Sequence, residues 1–184
     1  DGDLVVGSSG LLSYADVDVV GGAVIGGPAR FLGTGDQVLR VGAGETLELG
    51  GALTSKSTDG KLSLDADRIE LTAIGAQTIE SRFGKLEIGS AAGTGLVRGS
   101  FDAAGAPDPA GARGDLTLRG SAVDGTGPAI TVHGTRTLGD GRSYALALAN
   151  GDLLVDARAI ASETNATPGP WRRRCRRRSV LRRR

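Results

Sequence analysis

The sequence predicts an all-β protein that folds as a right-handed parallel β-helix, or β-solenoid, followed by a disordered basic tail. Three observations predict this class. Related units of about ten residues recur along the chain. Aliphatic and polar residues alternate over short stretches, and Gly interrupts every stretch that could form a helix. The composition agrees, because 31 Gly, no Met and 3% aromatic residues leave Leu, Ile, Val and Ala to fill the interior.

The recurring unit begins with Gly, continues with Asp or Lys and then Leu, and has an aliphatic residue at its tenth position. Copies with this pattern begin at Gly2, Gly60, Gly114 and Gly151. A partial copy begins at Gly84, and a copy with one extra residue begins at Gly44. Self-similarity of this kind indicates a repeat architecture in which each unit buries its apolar face against its neighbours.

Each unit contains a short strand whose aliphatic side chains share one face. In the copy at Gly60, Leu62 and Leu64 lie on one face of the strand and Ser63 lies on the other. The same alternation predicts that one set of residues is buried in stacked aliphatic rows: Leu64, Leu118 and Val155. It predicts that another set faces outward: Ser63, Thr117 and Leu154.

Corners and coil length follow from the same pattern. The apolar positions change from even to odd numbers at Ile69, which predicts a corner at Asp67-Arg68. Leu62 and Leu86 are 24 residues apart, the range expected for one turn of a coil. At about 22 residues per coil and about 4.8 Å per step, the body would form roughly seven coils and a rod about 35 Å long.

The spacing between the units is irregular, so some coils must carry loops, and the best candidate is the segment Phe101 to Gly114. A β-sandwich or barrel is the alternative fold, because it also has short strands at regular spacing. The low aromatic content favours the β-helix, since a sandwich core of this size would usually contain more Trp, Tyr and Phe.

The chain divides into a repeat region, residues 1–165, and a Pro/Arg-rich tail, residues 166–184. Nine of the 22 basic residues lie between Trp171 and Arg184, which leaves 13 basic residues against 21 acidic ones and a formal charge of −8 for the body. Three interpretations of the tail stay open: a nucleic-acid or heparin patch, a solvated arm, or an out-of-frame end of a GC-rich gene. The abrupt change in composition favours the last, so no nucleic-acid partner is expected.

Two stretches, "GKLSLDADRIELTA" and "GDLTLRGSAVDGTGPAITVHG", resemble the shaft repeats of filamentous-haemagglutinin-like exoproteins, adhesins that bacteria export by two-partner secretion. The resemblance covers most of residues 1–162. It implies a shaft fragment of a secreted or cell-surface adhesin that attaches to a host-cell or surface receptor or glycan, and that an outer-membrane transporter exports. The sequence departs from the pattern in two respects: it lacks the Asn-Pro motifs of the secretion domain, and it has few Asn residues for corner ladders.

Catalytic residues are scarce, so the sequence predicts no enzyme, no cofactor and no metal site. His133, the only histidine, is predicted to be exposed on a strand, and the lone Cys175 lies in the tail. The carboxylate pairs Asp16/Asp18 and Asp65/Asp67 each share a strand face, which suits either Ca²⁺ binding or a solvated acidic surface. The alternative function is a fragment of a carbohydrate-active β-helix enzyme similar to a polysaccharide lyase. A cluster of three or more acids with a base on one face would favour it.

The tripeptide Arg113-Gly114-Asp115 is the candidate ligand-binding site. Integrin-type recognition is one interpretation, since surface tripeptides of this sequence are linked to host receptors in the family that the chain resembles. The other is a turn that opens a strand, because five Gly-Asp dipeptides occur in the chain and several begin a unit. No apolar run approaches the roughly 18 residues that a bilayer crossing requires, so no membrane insertion is predicted.

Overall fold

The computed structural model describes residues 2–57, 59–90, 92–93, 95–98, 116–122, 128–133, 153–157 and 160–162 of the 184-residue chain. Within these ranges the protein is all-β: it has strands and no helix. Every strand pairing is parallel, and the strands form three sheets. The sequence prediction of a parallel β-helix is therefore confirmed.

Each of the first five turns of the chain, or coils, supplies one strand to each sheet, and we name the sheets A, B and C in the order in which the chain enters them. The described strands of coil 6 lie in sheets B and C. Coils 1 and 2 contain β1 Leu4–Val6, β2 Leu11–Ser13, β3 Val17–Asp18, β4 Ala23–Ile25, β5 Ala29–Phe31 and β6 Gln37–Arg40. Coils 3 and 4 contain β7 Thr46–Leu49, β8 Leu53–Ser55, β9 Leu62–Asp65, β10 Arg68–Leu71, β11 Gln77–Ser81 and β12 Leu86–Ile88. Coil 5 contains β13 Gly95–Arg98, β14 Leu116–Gly120 and β15 Ile130–Val132, and coil 6 contains β16 Leu153–Ala157 and β17 Ile160–Ser162.

The coil period predicted from Leu62 and Leu86 is confirmed, because these two residues are register partners. Leu47 and Ile69 are also partners. The described strands form six coils, a stack about 29 Å long at about 4.8 Å per coil, where the sequence predicts roughly seven for the whole body. The later coils are longer: Ile79 pairs with Leu118, 39 residues on. The predicted loop Phe101 to Gly114 lies outside the described residues, between β13 and β14 in the chain.

The recurring units do not all occupy the same side of the coil. The copies at Gly60 and Gly84 supply β9 and β12 in sheet C, whereas those at Gly114 and Gly151 supply β14 and β16 in sheet B. The irregular spacing between units therefore has two causes, the change of side and the longer late coils. One unit corresponds to one strand of a coil, and a full coil has three strands, one in each sheet.

Aliphatic side chains fill the interior, as the composition predicts. Leu64 and Leu118 are buried, which confirms two of the three predicted positions, while the side chains of Val155 and Leu154 lie outside the described part of the chain. The predicted corner at Asp67-Arg68 is also confirmed, since β9 ends at Asp65, β10 begins at Arg68, and the buried positions shift from even to odd across it.

Polar side chains also enter the interior, and the sequence patterns did not predict them. Ser55 Oγ donates a hydrogen bond of 2.6 Å to Gln37 Oε1 in the preceding coil. Gln77 Nε2 donates to the carbonyl oxygens of Leu49 and Gly51 at 2.9 and 2.8 Å. Burying a polar atom costs less free energy when the atom is hydrogen-bonded, and the neighbouring coil supplies partners for Ser55 Oγ, Gln37 Oε1 and Gln77 Nε2.

Aspartates at the corners take the place of the missing Asn ladders. Each carboxylate accepts a hydrogen bond of 2.7 to 2.9 Å from a backbone N–H of an adjacent coil. The pairs of carboxylate and amide are Asp3 with Gly22, Asp16 with Val38, Asp36 with Lys61, Asp59 with Gly35, and Asp67 with Gly44. Part of the body's negative charge therefore links the coils to one another.

Candidate functional site on the outer face of sheet C

A groove of about 390 Å³ lies on the outer face of sheet C. It crosses coils 2 to 5, so its walls come from residues that are far apart in sequence. We name it the sheet C groove, and its lining residues are Val38, Arg40, Lys61, Ser63, Asp65, Glu87, Gly89, Ser90 and His133.

Small residues in two adjacent outward rows create the groove. Ser63 lies between its register partners Val38 and Glu87 on the outer face of the sheet. Gly89 follows β12 with a φ of +85°, and a Cβ atom there would lie 2.9 Å from the carbonyl oxygen of His133. A side chain at this position would be strained and crowded, so the close approach of coil 5 depends on glycine.

Glu87 is the centre of the groove's hydrogen bonding. Its Oε2 accepts hydrogen bonds from Lys61 Nζ at 2.6 Å and Ser63 Oγ at 3.1 Å, and its Oε1 lies 2.9 Å from His133 Nε2. These partners lower the pKa of Glu87 from 4.5 to about 2, with the Lys61 hydrogen bond as the largest cause and those of His133 and Ser63 following. One carboxylate thus connects coils 3, 4 and 5.

One prediction of exposure was wrong at this site. His133 was expected on the surface, but it is only 9% exposed, because it packs beside Gly89 and its ring contacts Glu87. Ser63 faces outward as predicted, yet it is only 8% exposed, since it contributes to the same hydrogen-bond network. Thr117, which was also predicted to face outward, is partly exposed.

A second set of charges lies along the neighbouring row. Arg40 lies between its register partners, with Nη1 3.0 Å from Asp18 Oδ1 and Nε 2.7 Å from Asp65 Oδ2. The hydrogen bond to Asp65 is the main reason why the pKa of Arg40 is raised. All three side chains are about half exposed, so solvent screens these ion pairs and each contributes little to stability.

The two predicted carboxylate pairs do not act as pairs. Asp16 accepts from the Val38 amide while Asp18 binds Arg40, and Asp65 binds Arg40 while Asp67 accepts from the Gly44 amide and from Ser90 Oγ. The Ser90 and Gly44 hydrogen bonds lower the pKa of Asp67. No group of three or more His, Cys, Asp or Glu residues is placed to hold a metal ion in the part of the chain that the structure describes.

The chemistry of the groove is that of linked ion pairs. Two acids, Asp65 and Glu87, line it together with Arg40, Lys61 and His133. A third acid, Asp18, lies on the same face of the sheet beyond Arg40 and outside the groove. The outer face of sheet C therefore carries three acids together with basic side chains, the cluster that would favour a carbohydrate-active enzyme, although only two of the acids line the groove. Both acids in the groove already accept hydrogen bonds from basic side chains.

The candidate ligand site Arg113-Gly114-Asp115 lies outside the described residues, as do Cys175 and the tail, residues 166–184. The strand β14 begins at Leu116, directly after the tripeptide in the chain. The ranges that the structure describes contain no helix of the length and apolarity needed to cross a membrane.

We expect Glu87→Gln to destabilise the protein at pH 7 by about 1 to 2 kcal/mol, because Lys61 and His133 lose a charged partner. The folded-state pKa of Glu87 is below its ordinary value, so its contribution is present above pH 4.5 and is lost as the pH falls towards about 2. Urea unfolding at several pH values measures this effect. The difference in the free energy of unfolding between Glu87→Gln and the parent should shrink as the pH falls from 4.5 to about 2.

The control for this experiment is Glu48→Gln, which removes an equal charge from the outer face of sheet A, outside the groove. It should change the free energy of unfolding by less than about 0.5 kcal/mol. A Glu87→Gln effect that stays constant between pH 7 and pH 2 would contradict the proposed network.

Comparison with known proteins gave no match to this chain among family models, curated proteins or solved structures.

Proposed function

We propose that the protein is the rod segment of a secreted or surface-exposed bacterial attachment protein. The rod carries the segment between β13 and β14 as its receptor-binding element, with Arg113-Gly114-Asp115 as the recognised tripeptide. The resemblance to filamentous-haemagglutinin-like shafts supports this assignment. The same resemblance implies that an outer-membrane transporter exports the protein. The rod itself carries out no catalysis.

One structural observation carries the proposal. The pairing of β11 with β14 keeps Ile79 opposite Leu118 although 39 residues separate them, compared with 26 residues between the preceding partners Leu53 and Ile79. The stack therefore accommodates an insertion between adjacent coils without losing register. Many proteins carry their binding residues on segments inserted between the strands of a rigid framework.

The tripeptide has suitable chemistry for a receptor. Arg113 supplies a guanidinium that can pair with a carboxylate in bidentate geometry. Asp115 supplies oxygen ligands of the kind that Ca²⁺ and Mg²⁺ take in a receptor. In the chain, Asp115 directly precedes Leu116, where β14 begins.

A matched control exists one coil further along the chain. Leu116 and Leu153 are register partners, so Asn150-Gly151-Asp152 precedes β16 as Arg113-Gly114-Asp115 precedes β14. The two tripeptides differ only at the first residue. A receptor that recognises the Arg-Gly-Asp sequence should therefore bind the first tripeptide and not the second.

The test is attachment of integrin-bearing animal cells to the immobilised chain. We expect Arg113→Asn to reduce attachment at least tenfold, because it converts the tripeptide to the sequence found at Asn150. Asp152→Asn should leave attachment unchanged, and chelation of divalent cations should abolish it. Equal attachment by the parent and Arg113→Asn would overturn the assignment of the tripeptide.

A carbohydrate-active enzyme fragment is the alternative function, and the observation that favours it is the set of three acids and basic side chains on the outer face of sheet C. Glu87, Lys61 and His133 provide an acid and two bases within hydrogen-bond distance. We favour the attachment function because these groups are paired with one another across three coils.

A further inference from the structure

The floor of the sheet C groove is a gap in an outward row of polar side chains. The row lies one residue after the last inward residue of β6, β9, β12 and β15, and it reads Arg40, Asp65, Gly89 and His133 in coils 2 to 5. Because Gly89 has no side chain, nothing in this row fills the two coil steps, about 10 Å, between Asp65 and His133. The volume of about 390 Å³ is at the lower end of the range of small-molecule sites.

The charges that line the groove balance one another. Arg40 and Lys61 are the cations, and Asp65 and Glu87 are the anions, so the formal sum is zero when His133 is neutral. Each anion is within hydrogen-bond distance of a cation in another coil. A charged ligand would have to break one of these pairs and leave a partner without its counter-charge, whereas a neutral ligand would not.

Hydrogen-bonding groups remain for a ligand after the ion pairs have formed. Lys61 Nζ has three N–H groups and donates one of them to Glu87. Arg40 has five N–H groups and donates through Nε and Nη1. Asp65 accepts from Arg40 through Oδ2, which leaves Oδ1 for a ligand. Donors and an acceptor therefore line one small space.

These polar side chains are held in place before any ligand binds. Glu87 lies 2.6 Å from Lys61 Nζ and 2.9 Å from His133 Nε2. Asp65 lies 2.7 Å from Arg40 Nε. Side chains that are already ordered lose little conformational entropy on binding. The same contacts hold the pKa of Glu87 at about 2, too low for an effective general acid at neutral pH, so the groove suits recognition better than catalysis.

The groove offers little to an apolar ligand. Val38 is the one aliphatic side chain among its described lining residues, and Ser63, Gly89 and Ser90 are small. A ligand that fits this lining must both donate and accept hydrogen bonds without carrying a charge. Hydroxyl groups do so, because each has one donor and two acceptor lone pairs.

We propose that the sheet C groove binds a neutral saccharide of one or two rings and does not cleave it. A sugar hydroxyl can donate to Asp65 Oδ1 while it accepts from Lys61 or Arg40, and neighbouring hydroxyls of one ring can use several of these groups together. The gap at Gly89 supplies the space for the ring. The inference uses no residue of the attachment tripeptide, so it does not depend on the attachment function.

The first test is an NMR titration of the isotopically labelled 184-residue chain with neutral disaccharides: maltose, lactose, cellobiose, mannobiose and diacetylchitobiose. We expect at least one of them to bind with a dissociation constant of about 1 mM and to shift the backbone amide signals of Gly89 and Ser90. Glucuronate and glucosamine carry one charge each. They should bind at least about threefold more weakly than the best neutral probe, because each must compete with an ion pair.

The second test locates the site with a pair of matched variants. Val38 is partly exposed and lines the groove, so Val38→Tyr should fill the groove and weaken binding at least about tenfold. Thr54→Tyr is the control, because it places the same side chain on the outer face of sheet B, and it should bind as the parent does. Circular dichroism shows whether each variant is folded.

Several results would overturn the proposal. One is the absence of a shift with every neutral disaccharide at about 50 mM, and another is a shift confined to residues outside the groove. Tighter binding of glucuronate or glucosamine would show that the groove selects a charged ligand. A folded Val38→Tyr variant that binds as the parent does would place the site elsewhere, and shortening of a disaccharide would show catalysis.

Discussion

Gly84→Ala is expected to destabilise the protein by more than about 3 kcal/mol, enough to unfold a marginally stable domain. A Cβ atom at residue 84 would lie 1.5 Å from the carbonyl oxygen of Gly60 and 2.7 Å from its carbon, so backbone atoms would have to move. Such movement is opposed from the other side, because the Gly84 carbonyl accepts a 2.8 Å hydrogen bond from Ser121 N–H in coil 5. Urea unfolding followed by circular dichroism measures the loss.

Gly75→Ala is the matched control in the same coil. A Cβ atom there meets no heavy atom within 4 Å, and the residue has no positive φ. The free energy of unfolding should change by less than about 0.5 kcal/mol, or rise slightly because the unfolded chain loses entropy. If Gly84→Ala proved as stable as Gly75→Ala, coils 3 and 4 could not approach each other as closely at Gly60 and Gly84 as the structure shows.

Leu64→Asp should abolish the folded state of its coil. Leu64 is 1% exposed and lies in an interior row between Leu39 and Ile88. An aspartate there would either bury an unpaired charge or bind a proton in an apolar interior, and both cost several kcal/mol. Loss of the cooperative thermal transition is the expected result.

The control for register is Thr117→Asp. Thr117 points outward from β14, is partly exposed, and has Thr78 as its register partner. Its replacement should alter the thermal midpoint by only a few degrees. Stability of Leu64→Asp equal to that of Thr117→Asp would contradict the assignment of inward and outward faces.

Alternation made the coils predictable from sequence. The spacing of Leu62 and Leu86 predicted a pairing that the structure contains, and the parity change at Asp67-Arg68 predicted a corner. Both features are local properties of the backbone: side chains alternate along a strand, and a bend resets the alternation. Burial of aliphatic residues therefore followed directly, as Leu64 and Leu118 show.

Contacts between coils were not predictable in the same way. Whether His133 is exposed depends on Glu87, 46 residues away, and on the absence of a side chain at Gly89. The polar interior depends on Gln37 and Ser55 being opposite each other in adjacent coils. A signal for such pairs exists only after the coil boundaries are known, because the partners are defined by register and not by sequence distance.

In the candidate site, too, the residues could be recognised from the sequence but their contacts between coils could not. The pairs Asp16/Asp18 and Asp65/Asp67 were recognised from the sequence. Their partners, which are Arg40 and the backbone amides of Val38 and Gly44, follow from the stacking of the coils. A uniform coil period also does not predict insertions such as the one between Ile79 and Leu118. Sequence patterning thus predicted the framework, and the groove had to be built from the structure.

Disulfide formation across coils tests the stacked, in-register β-helix most directly. In a Cys175→Ser background, Thr54→Cys/Glu80→Cys joins register partners in adjacent coils, with Cα atoms about 4.8 Å apart and both side chains outward, which suits a disulfide. Arg30→Cys/Glu80→Cys spans two steps, about 10 Å, which is too far. We predict rapid oxidation of the first pair and none of the second; oxidation of the second pair, or of neither, would contradict the fold.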